Sequence, residues 1–216
     1  MNREARKARF QEVDIYPVTC ERLSAGRSDV EVLDAVIRGG ARIIQLREKS
    51  LSTRDLFQLA LRFREITAKA DVLLIINDRL DIALAVGADG VHLGQEDLPL
   101  TAARKLAPDL LIGASTHSLD EALQAQEDGA DYVNIGPIFP TKTKEGVGRV
   151  LGPEAIGVIS PNLKVPFTVM GGISGSNVDQ VIAKGARRVA MVTAITQAPD
   201  IADAVRSFKE RIKNQA

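Results

Sequence analysis

Two aspartates in the middle of the chain have the surroundings of a divalent-metal site. Asp78 follows an apolar run, Val72 to Ile76, and Asp97 lies just past a second run, Val91 to Leu93. If both runs are strands of one parallel sheet, the two carboxylates emerge on the same rim. Mg2+ prefers oxygen ligands and is usually held by one or two carboxylates together with substrate phosphate oxygens. The pair therefore predicts a magnesium–diphosphate site, and the simpler alternative is that Asp78 caps the next helix.

A cationic segment, residues 45–49, follows an earlier apolar run. Alternation along this segment sends Gln45, Arg47 and Lys49 to one side. Two cations and an amide on one side have the chemistry to bind a diphosphate, whereas a solvated charged loop is the plainer interpretation. The position of the segment at the end of a strand favours diphosphate binding.

The elements that position these residues are short β-branched runs alternating with amphipathic stretches, a pattern that indicates βαβ units and a parallel sheet. The predicted strands are Ile15–Thr19, Arg42–Leu46, Val72–Ile76, Gly90–Leu93, Leu110–Gly113, Tyr132–Ile135, Phe167–Met170 and Val189–Val192. The predicted helices are Val30–Arg38, Thr53–Lys69, Leu80–Val86, Leu100–Ala107, Leu119–Glu127, Pro153–Ile159, Asn177–Ala183 and Ile201–Ile212. A helical extension over residues 1–12 precedes them.

An internal repeat favours a closed barrel. Gly40-Ala41, Gly87-Ala88, Gly129-Ala130 and Gly185-Ala186 each end a helix and introduce strands two, four, six and eight. Glycine is the residue best suited to the left-handed position after a helix. A unit at every second strand suits a barrel whose interior layers draw on alternate strands, whereas an open doubly wound sheet requires no such regularity. The sequence predicts one α/β domain over residues 1–216, a (β/α)8 TIM barrel.

Composition narrows the function. The 216 residues are 45% apolar and 26% charged, as in a globular protein, and 28 basic residues balance 28 acidic ones. This balance gives no support to binding of nucleic acid or of an anionic membrane. No apolar run approaches the roughly 20 residues of a membrane span, and the single cysteine, Cys20, fits a reducing compartment. We therefore expect a cytoplasmic protein with small-molecule partners, and a homo-oligomer is compatible with the sequence.

Further polar residues follow the last four strands. Ser115 is suited to donate to a phosphate oxygen, and His117 is expected to cap or pack against the next helix. The loop over residues 141–148 has the hydroxyls, ammonium groups and glycines of a lid. Gly171-Gly172 and Thr193 fall where such barrels bind phosphate through backbone amides. The rim therefore predicts a second phosphate site, separate from the metal-bound one.

Several motifs, in this order along the chain, resemble the thiamine-phosphate synthase family, also called thiamine-phosphate pyrophosphorylase, from Ile15 to the C-terminal helix. They are Q-L-R-E-K at 45–49, N-D-R at 77–79, A-D-G-V-H-L-G-Q-E-D at 88–97, G-x-S-x-H at 113–117, A-D-Y-V-N-I-G-P-I-F-P-T-K-T-K at 130–144 and G-G-I at 171–173. The resemblance implies a transferase that, with Mg2+, joins hydroxymethylpyrimidine diphosphate to thiazole phosphate, releasing diphosphate and giving thiamine phosphate.

Carried over by motif, the resemblance implies three groups of site residues. The pyrimidine diphosphate would contact Gln45, Leu46, Arg47, Glu48, Lys49, Asn77, Ser115 and Lys144. The thiazole phosphate would contact Thr141, Lys142, Thr143, Gly172, Val192 and Thr193. Asp78 and Asp97 would ligate the magnesium, and Arg47 and Lys144 would be catalytic because they stabilise charge on the leaving diphosphate.

Two positions depart from the family pattern. Thr193 stands where relatives usually have serine, and Cys20 where they usually have aspartate.

His92, in strand four, is expected to be an inward-facing ring whose hydrogen bonds are made by its neighbours, rather than a proton carrier. Two alternatives stay open, a thiazole tautomerase of the same fold and a non-catalytic module that binds a phosphate ligand, since fold alone does not fix function.

Overall fold

The computed structural model describes residues 1–141, 143 and 149–214. Within these residues eight parallel strands alternate with helices. The strands are β1 (Ile15–Pro17), β2 (Ile43–Leu46), β3 (Leu73–Asn77), β4 (Gly90–Leu93), β5 (Leu111–Thr116), β6 (Tyr132–Ile135), β7 (Phe167–Val169) and β8 (Val189–Met191). The helices are α1 (Arg3–Gln11), α2 (Asp29–Arg38), α3 (Thr53–Lys69), α4 (Leu80–Val86), α5 (Leu100–Leu106), α6 (Leu119–Glu127), α7 (Glu154–Ile159), α8 (Val178–Ala183), α9 (Thr193–Thr196) and α10 (Ile201–Asn214).

The sheet curls until its two edges meet. Strand order is β1-β8-β7-β6-β5-β4-β3-β2, with every pair parallel. The remaining gap, between β1 and β2, is bridged where Val18 pairs with Gln45 and the Thr19 N–H donates to the Gln45 carbonyl at 2.9 Å. The predicted single-domain (β/α)8 barrel is therefore confirmed, and the carboxyl ends of all the strands form one rim.

Helix α1 lies across the opposite, amino end of the barrel. Asn2 caps it by accepting a hydrogen bond from the Ala5 N–H. Phe10 stacks on the buried ring of Tyr132, with ring centroids 4.3 Å apart. Because the aromatic ring of Phe10 enters the base of the barrel, the site must open at the rim.

The four glycines of the predicted repeat adopt the left-handed backbone conformation expected after a helix. Gly40, Gly87, Gly129 and Gly185 all have positive φ, between 64° and 94°. In two of the repeats the Gly-Ala pair is followed by an aspartate, Asp89 or Asp131, that is buried at the amino end of the barrel. The Asp131 carboxylate accepts hydrogen bonds from the Ile112 N–H, Arg3 and Arg104.

Replacing Asp131 with alanine will destabilise the barrel. Asp131 is 3% exposed, so its loss leaves the half-buried Arg104 guanidinium without its carboxylate. Removing one partner of a buried ion pair costs about 3–5 kcal/mol, and urea denaturation will show this loss. Glu127→Ala, on exposed α6 surface, is the control, and equal midpoints for the two variants would contradict the prediction.

Most elements fall within two residues of their predicted ends, and β4, β6, α3, α4 and α6 match. Two differences affect the site. Strand β5 continues to Thr116, since Ser115 pairs with Asn134 of β6. Helix α9 was not predicted, because four residues carry no periodic pattern. Among the described helices, none is long and apolar enough to cross a membrane.

Candidate active site

A chain of hydrogen bonds crosses the barrel interior beneath the rim. The Gln45 Nε2 donates to the Tyr16 hydroxyl at 3.0 Å, and that hydroxyl bonds the hydroxyl of Tyr132 at 2.9 Å. Tyr132 then bonds His92 Nδ1 at 3.1 Å, and His92 Nε2 bonds the Ser115 hydroxyl at 2.9 Å. Gln45 and Ser115, which were predicted independently, therefore belong to one network.

The direction of these bonds follows from the amide at one end. An amide nitrogen only donates, so Tyr16 accepts from Gln45 and has its own proton for Tyr132. Burial raises the pKa of both tyrosine hydroxyls well above their usual range, so both stay protonated at neutral pH. Tyr132 then donates to Nδ1 of His92, and in a neutral His92 ring the one proton is on Nε2 and is donated to Ser115. The Ser115 proton is then available to a ligand at the rim, and His92 is held by neighbours as the sequence indicates.

The predicted metal ligands lie on neighbouring loops. Asp78 follows β3 and Asp97 follows β4, whose ends pair at Asn77 and His92. Asp78 has a left-handed backbone, φ 59°, and its N–H donates to the His92 carbonyl at 2.8 Å. The cap residue of α4 is Arg79, so the alternative interpretation of Asp78 as a helix cap is wrong. Positive φ is uncommon for residues other than glycine, although aspartate adopts it more readily than most.

The two carboxylates lie beside each other and beside one cation. Burial raises the pKa of Asp97, and the neighbouring Asp78 carboxylate raises it further. Lys49 forms an ion pair with Asp78, and the Gly94 N–H donates to Asp97 at 2.7 Å. Among the described residues no group of three or more His, Cys, Asp or Glu side chains could hold a metal. Two hard oxygen donors, completed by phosphate oxygens and water, would suit Mg2+.

The side chains of segment 45–49 have different surroundings. Gln45 points into the barrel, and Leu46 is buried in the apolar core. Glu48 accepts a hydrogen bond from the Glu21 N–H at 2.7 Å. Within the described residues the Arg47 guanidinium makes no hydrogen bond, so its donors are available to a ligand, while Lys49 is on the rim with Asp78.

A second cavity opens on the other half of the rim, after β5 to β8. Its lining includes five of the residues predicted for the second phosphate, Thr141, Thr143, Gly172, Val192 and Thr193, together with Ser115. Gly172 has φ 62°, and a Cβ there would collide with the Pro140 carbonyl, so only glycine fits. Helix α9 begins at Thr193, which leaves the first amides of the helix without intrahelical acceptors. Lys142, Lys144 and most of the predicted lid lie outside the described residues.

Several residues of this site were not predicted from the sequence. Tyr16 and Tyr132 carry the interior network, and Asn134 lines the second cavity. The one feature of the sequence that could have identified them is their position on β1 and β6, where alternation directs their side chains into the barrel. His117 packs against α6, as expected, with Nδ1 at 2.9 Å from Glu121, but its ring also lines the second cavity.

Replacing Gly113 with alanine will disturb the interior network. A Cβ at this inward position would collide with the Tyr132 ring and with His92 Nδ1. Displacing His92 by a few tenths of an ångström misorients Ser115, so we expect turnover per KM to fall at least about tenfold. The control is Gly157→Ala in α7, where a Cβ meets nothing within 4 Å. Equal steady-state kinetics for the two variants would contradict the network's role.

Comparison with known proteins agrees with this geometry. The family model described as thiamine monophosphate synthase matches residues 15–195. Thiamine-phosphate synthase of Chloroflexus aurantiacus is 45% identical over 195 residues, 90% of each chain. That of Moorella thermoacetica is 46% identical over 198 residues, 91% of this chain and 94% of the relative. The solved structure of thiamine phosphate pyrophosphorylase from Pyrococcus furiosus is 37% identical, with a TM-score of 0.87 over 94% of this chain and 96% of that one. The chain belongs to the thiamine monophosphate synthase family.

Proposed function

We propose that this protein is a thiamine-phosphate synthase, a transferase that uses Mg2+ to join two small molecules. The substrates are 4-amino-2-methyl-5-(diphosphooxymethyl)pyrimidine and 4-methyl-5-(2-phosphoethyl)thiazole, and the products are thiamine phosphate and diphosphate. One observation carries the proposal: a single rim holds two adjacent carboxylates with Lys49 beside them, and a separate glycine-lined cavity suited to phosphate. Family membership supports the same reaction.

The first half of the rim is assigned to the pyrimidine diphosphate. Asp78 and Asp97 would hold Mg2+, which when bound neutralises charge on the diphosphate and so makes it a better leaving group. Lys49 adds a point charge, and the planar fork of Arg47 matches two phosphate oxygens. The motifs imply that the remaining contacts would be made by Gln45, Leu46, Glu48, Asn77, Ser115 and Lys144.

The second cavity is assigned to the thiazole phosphate. Its phosphate would meet the backbone amides at Gly172, Val192 and Thr193, where no side chain at Gly172 blocks close approach. The Thr141 and Thr143 hydroxyls, 3.2 Å apart, would face the same ligand, with Lys142 proposed from the motif. Thr193 keeps the hydroxyl of the usual serine and adds a methyl group.

The reaction requires no protein nucleophile. The methylene C–O bond breaks with its electron pair passing to diphosphate, and the aminopyrimidine delocalises the resulting methylene cation. The lone pair of the thiazole nitrogen then forms the new C–N bond. The chain would contribute by holding the two substrates together and by stabilising the developing negative charge with Arg47 and, as the motif implies, Lys144.

Incubating the protein with both substrates, with and without Mg2+, and weighing the products by mass spectrometry tests the proposal. We expect thiamine phosphate and one diphosphate per turnover, only with the metal. An isomerised thiazole with no diphosphate would identify a tautomerase. Unchanged substrates that nevertheless bind would identify a non-catalytic binding module.

A further inference from the structure

One buried acid lies close to the site without belonging to it. Asp29 is the first residue of α2, and its side chain is 1% exposed. Neither carboxylate oxygen accepts a hydrogen bond of normal geometry in the described part of the chain, and the Thr19 hydroxyl favours its ionised form less than burial and the acidic neighbours oppose it. An ionised carboxylate left in this state is costly, so the surroundings of Asp29 favour its neutral form.

The groups facing Asp29 are themselves acidic. Burial is the main effect that raises its pKa, to about 8, and the Glu48 and Glu21 carboxylates add to the shift, while the Thr19 hydroxyl opposes it. Glu48 is close enough to share a hydrogen bond with Asp29. Two ionised carboxylates cannot share one, whereas a protonated Asp29 can donate to Glu48. A proton on Asp29 that is donated to Glu48 therefore explains how a carboxyl group without a good donor can be buried beside a second carboxylate.

The neighbours of Asp29 are the groups that anchor segment 45–49. The Thr19 hydroxyl accepts from the Arg47 N–H at 3.0 Å, and the Thr19 N–H donates to the Gln45 carbonyl at 2.9 Å. Glu48 accepts from the Glu21 N–H at 2.7 Å. The segment is thus held to the turn after β1 from both sides, and Asp29 lies beneath that junction.

We propose that Asp29 and Glu48 share one proton, and that this carboxyl–carboxylate pair positions Arg47 and Lys49 to receive the diphosphate. Asp29 is a positioning residue, since it reaches the ligand only through Glu48 and the backbone of the segment. Loss of the shared proton places two anions side by side, so Glu48 moves away and the cations lose their alignment. The positioning role rests on the proposed function, whereas the shared proton does not.

Asp29→Asn keeps the shape of the side chain but removes its ability to lose a proton. Asparagine still donates to Glu48 but cannot ionise, so we expect this variant to keep most of its activity at pH 7. In the unmodified protein the KM for the pyrimidine diphosphate should rise at least about fivefold between pH 7 and pH 9.5. In Asp29→Asn it should change less than about twofold, and the KM for the thiazole phosphate should be steady in both proteins. Asp29→Leu, which has no donor, should show the raised value at every pH.

A ligand-free readout tests the proton itself. A folded-state pKa above the unfolded one makes the folded form bind the extra proton, so stability falls as pH rises from about 4 to about 8. Thermal unfolding midpoints should show this decline, Asp29→Asn should weaken it, and Asp34→Asn, on an exposed position of α2, should retain it. An Asp29→Asn protein with the unmodified pH profile, in KM or in unfolding, would overturn the proposal. No diphosphate release by the unmodified protein would instead overturn the proposed function, and the unfolding profile would still test the pair.

Discussion

Asp78→Ala will lose Mg2+-dependent diphosphate release, with turnover per KM falling by about a thousandfold. The carboxylate is one of two hard oxygen donors that lie together on the rim, and its loss would leave Asp97 as the only carboxylate of the proposed metal site. Metal stabilisation of a leaving group supplies several kcal/mol, and each 1.36 kcal/mol is a factor of ten in rate. A continuous assay for released diphosphate, run over a range of Mg2+ concentrations, measures the effect.

Asp81→Ala is the matched control for this variant. Asp81 lies three residues further on, in the first turn of α4, where its carboxylate pairs with Arg79 outside the site. We expect its turnover and Mg2+ dependence to stay within about twofold of the unmodified protein. Near-normal turnover of Asp78→Ala would remove Asp78 from the metal site.

Arg47→Ala will reduce turnover per KM about a hundredfold or more, through the pyrimidine diphosphate alone. The Arg47 guanidinium makes no hydrogen bond within the described residues, and the Arg47 backbone is held by a hydrogen bond to Thr19. Its donors are therefore available to a ligand. Removing a preorganised donor to developing charge costs about a hundredfold to a thousandfold. Arg47→Lys should recover only a small part, because an ammonium cannot reproduce the planar fork. Steady-state kinetics with each substrate varied in turn will measure both.

Arg62→Ala, on exposed α3 surface, removes the same charge away from the rim and should leave both KM values unchanged. A rise in the thiazole-phosphate KM equal to that for the pyrimidine diphosphate would show that Arg47 does not distinguish the two halves of the rim. Full activity in Arg47→Lys would show that charge alone is sufficient there.

The barrel and the rim were predictable because their signals are local. The glycine repeat specifies a backbone conformation residue by residue, and all four glycines adopt it. The rule that sites lie at the carboxyl ends of parallel strands then brings Lys49, Asp78 and Asp97 together without any knowledge of packing.

The interior network and the buried acid were not predictable in the same way. The partners of Tyr16 and Tyr132 depend on the register across the barrel, which no short motif encodes. Asp29 has the sequence signature of an acid in the first turn of a helix, a position that the helix dipole favours. Only the packing of α2 beneath the turn after β1 buries it beside Glu48.

Crystals grown with Mn2+, diphosphate and the thiazole phosphate would show directly whether the two halves of the rim bind different phosphate ligands, since anomalous scattering locates the metal. We expect one metal, held by the Asp78 and Asp97 carboxylates together with oxygens of the diphosphate. We also expect the thiazole phosphate at the amides of Gly172 and Thr193, in the other half of the rim. A metal bound away from both aspartates, or the two phosphate ligands exchanged between the halves of the rim, would contradict this assignment.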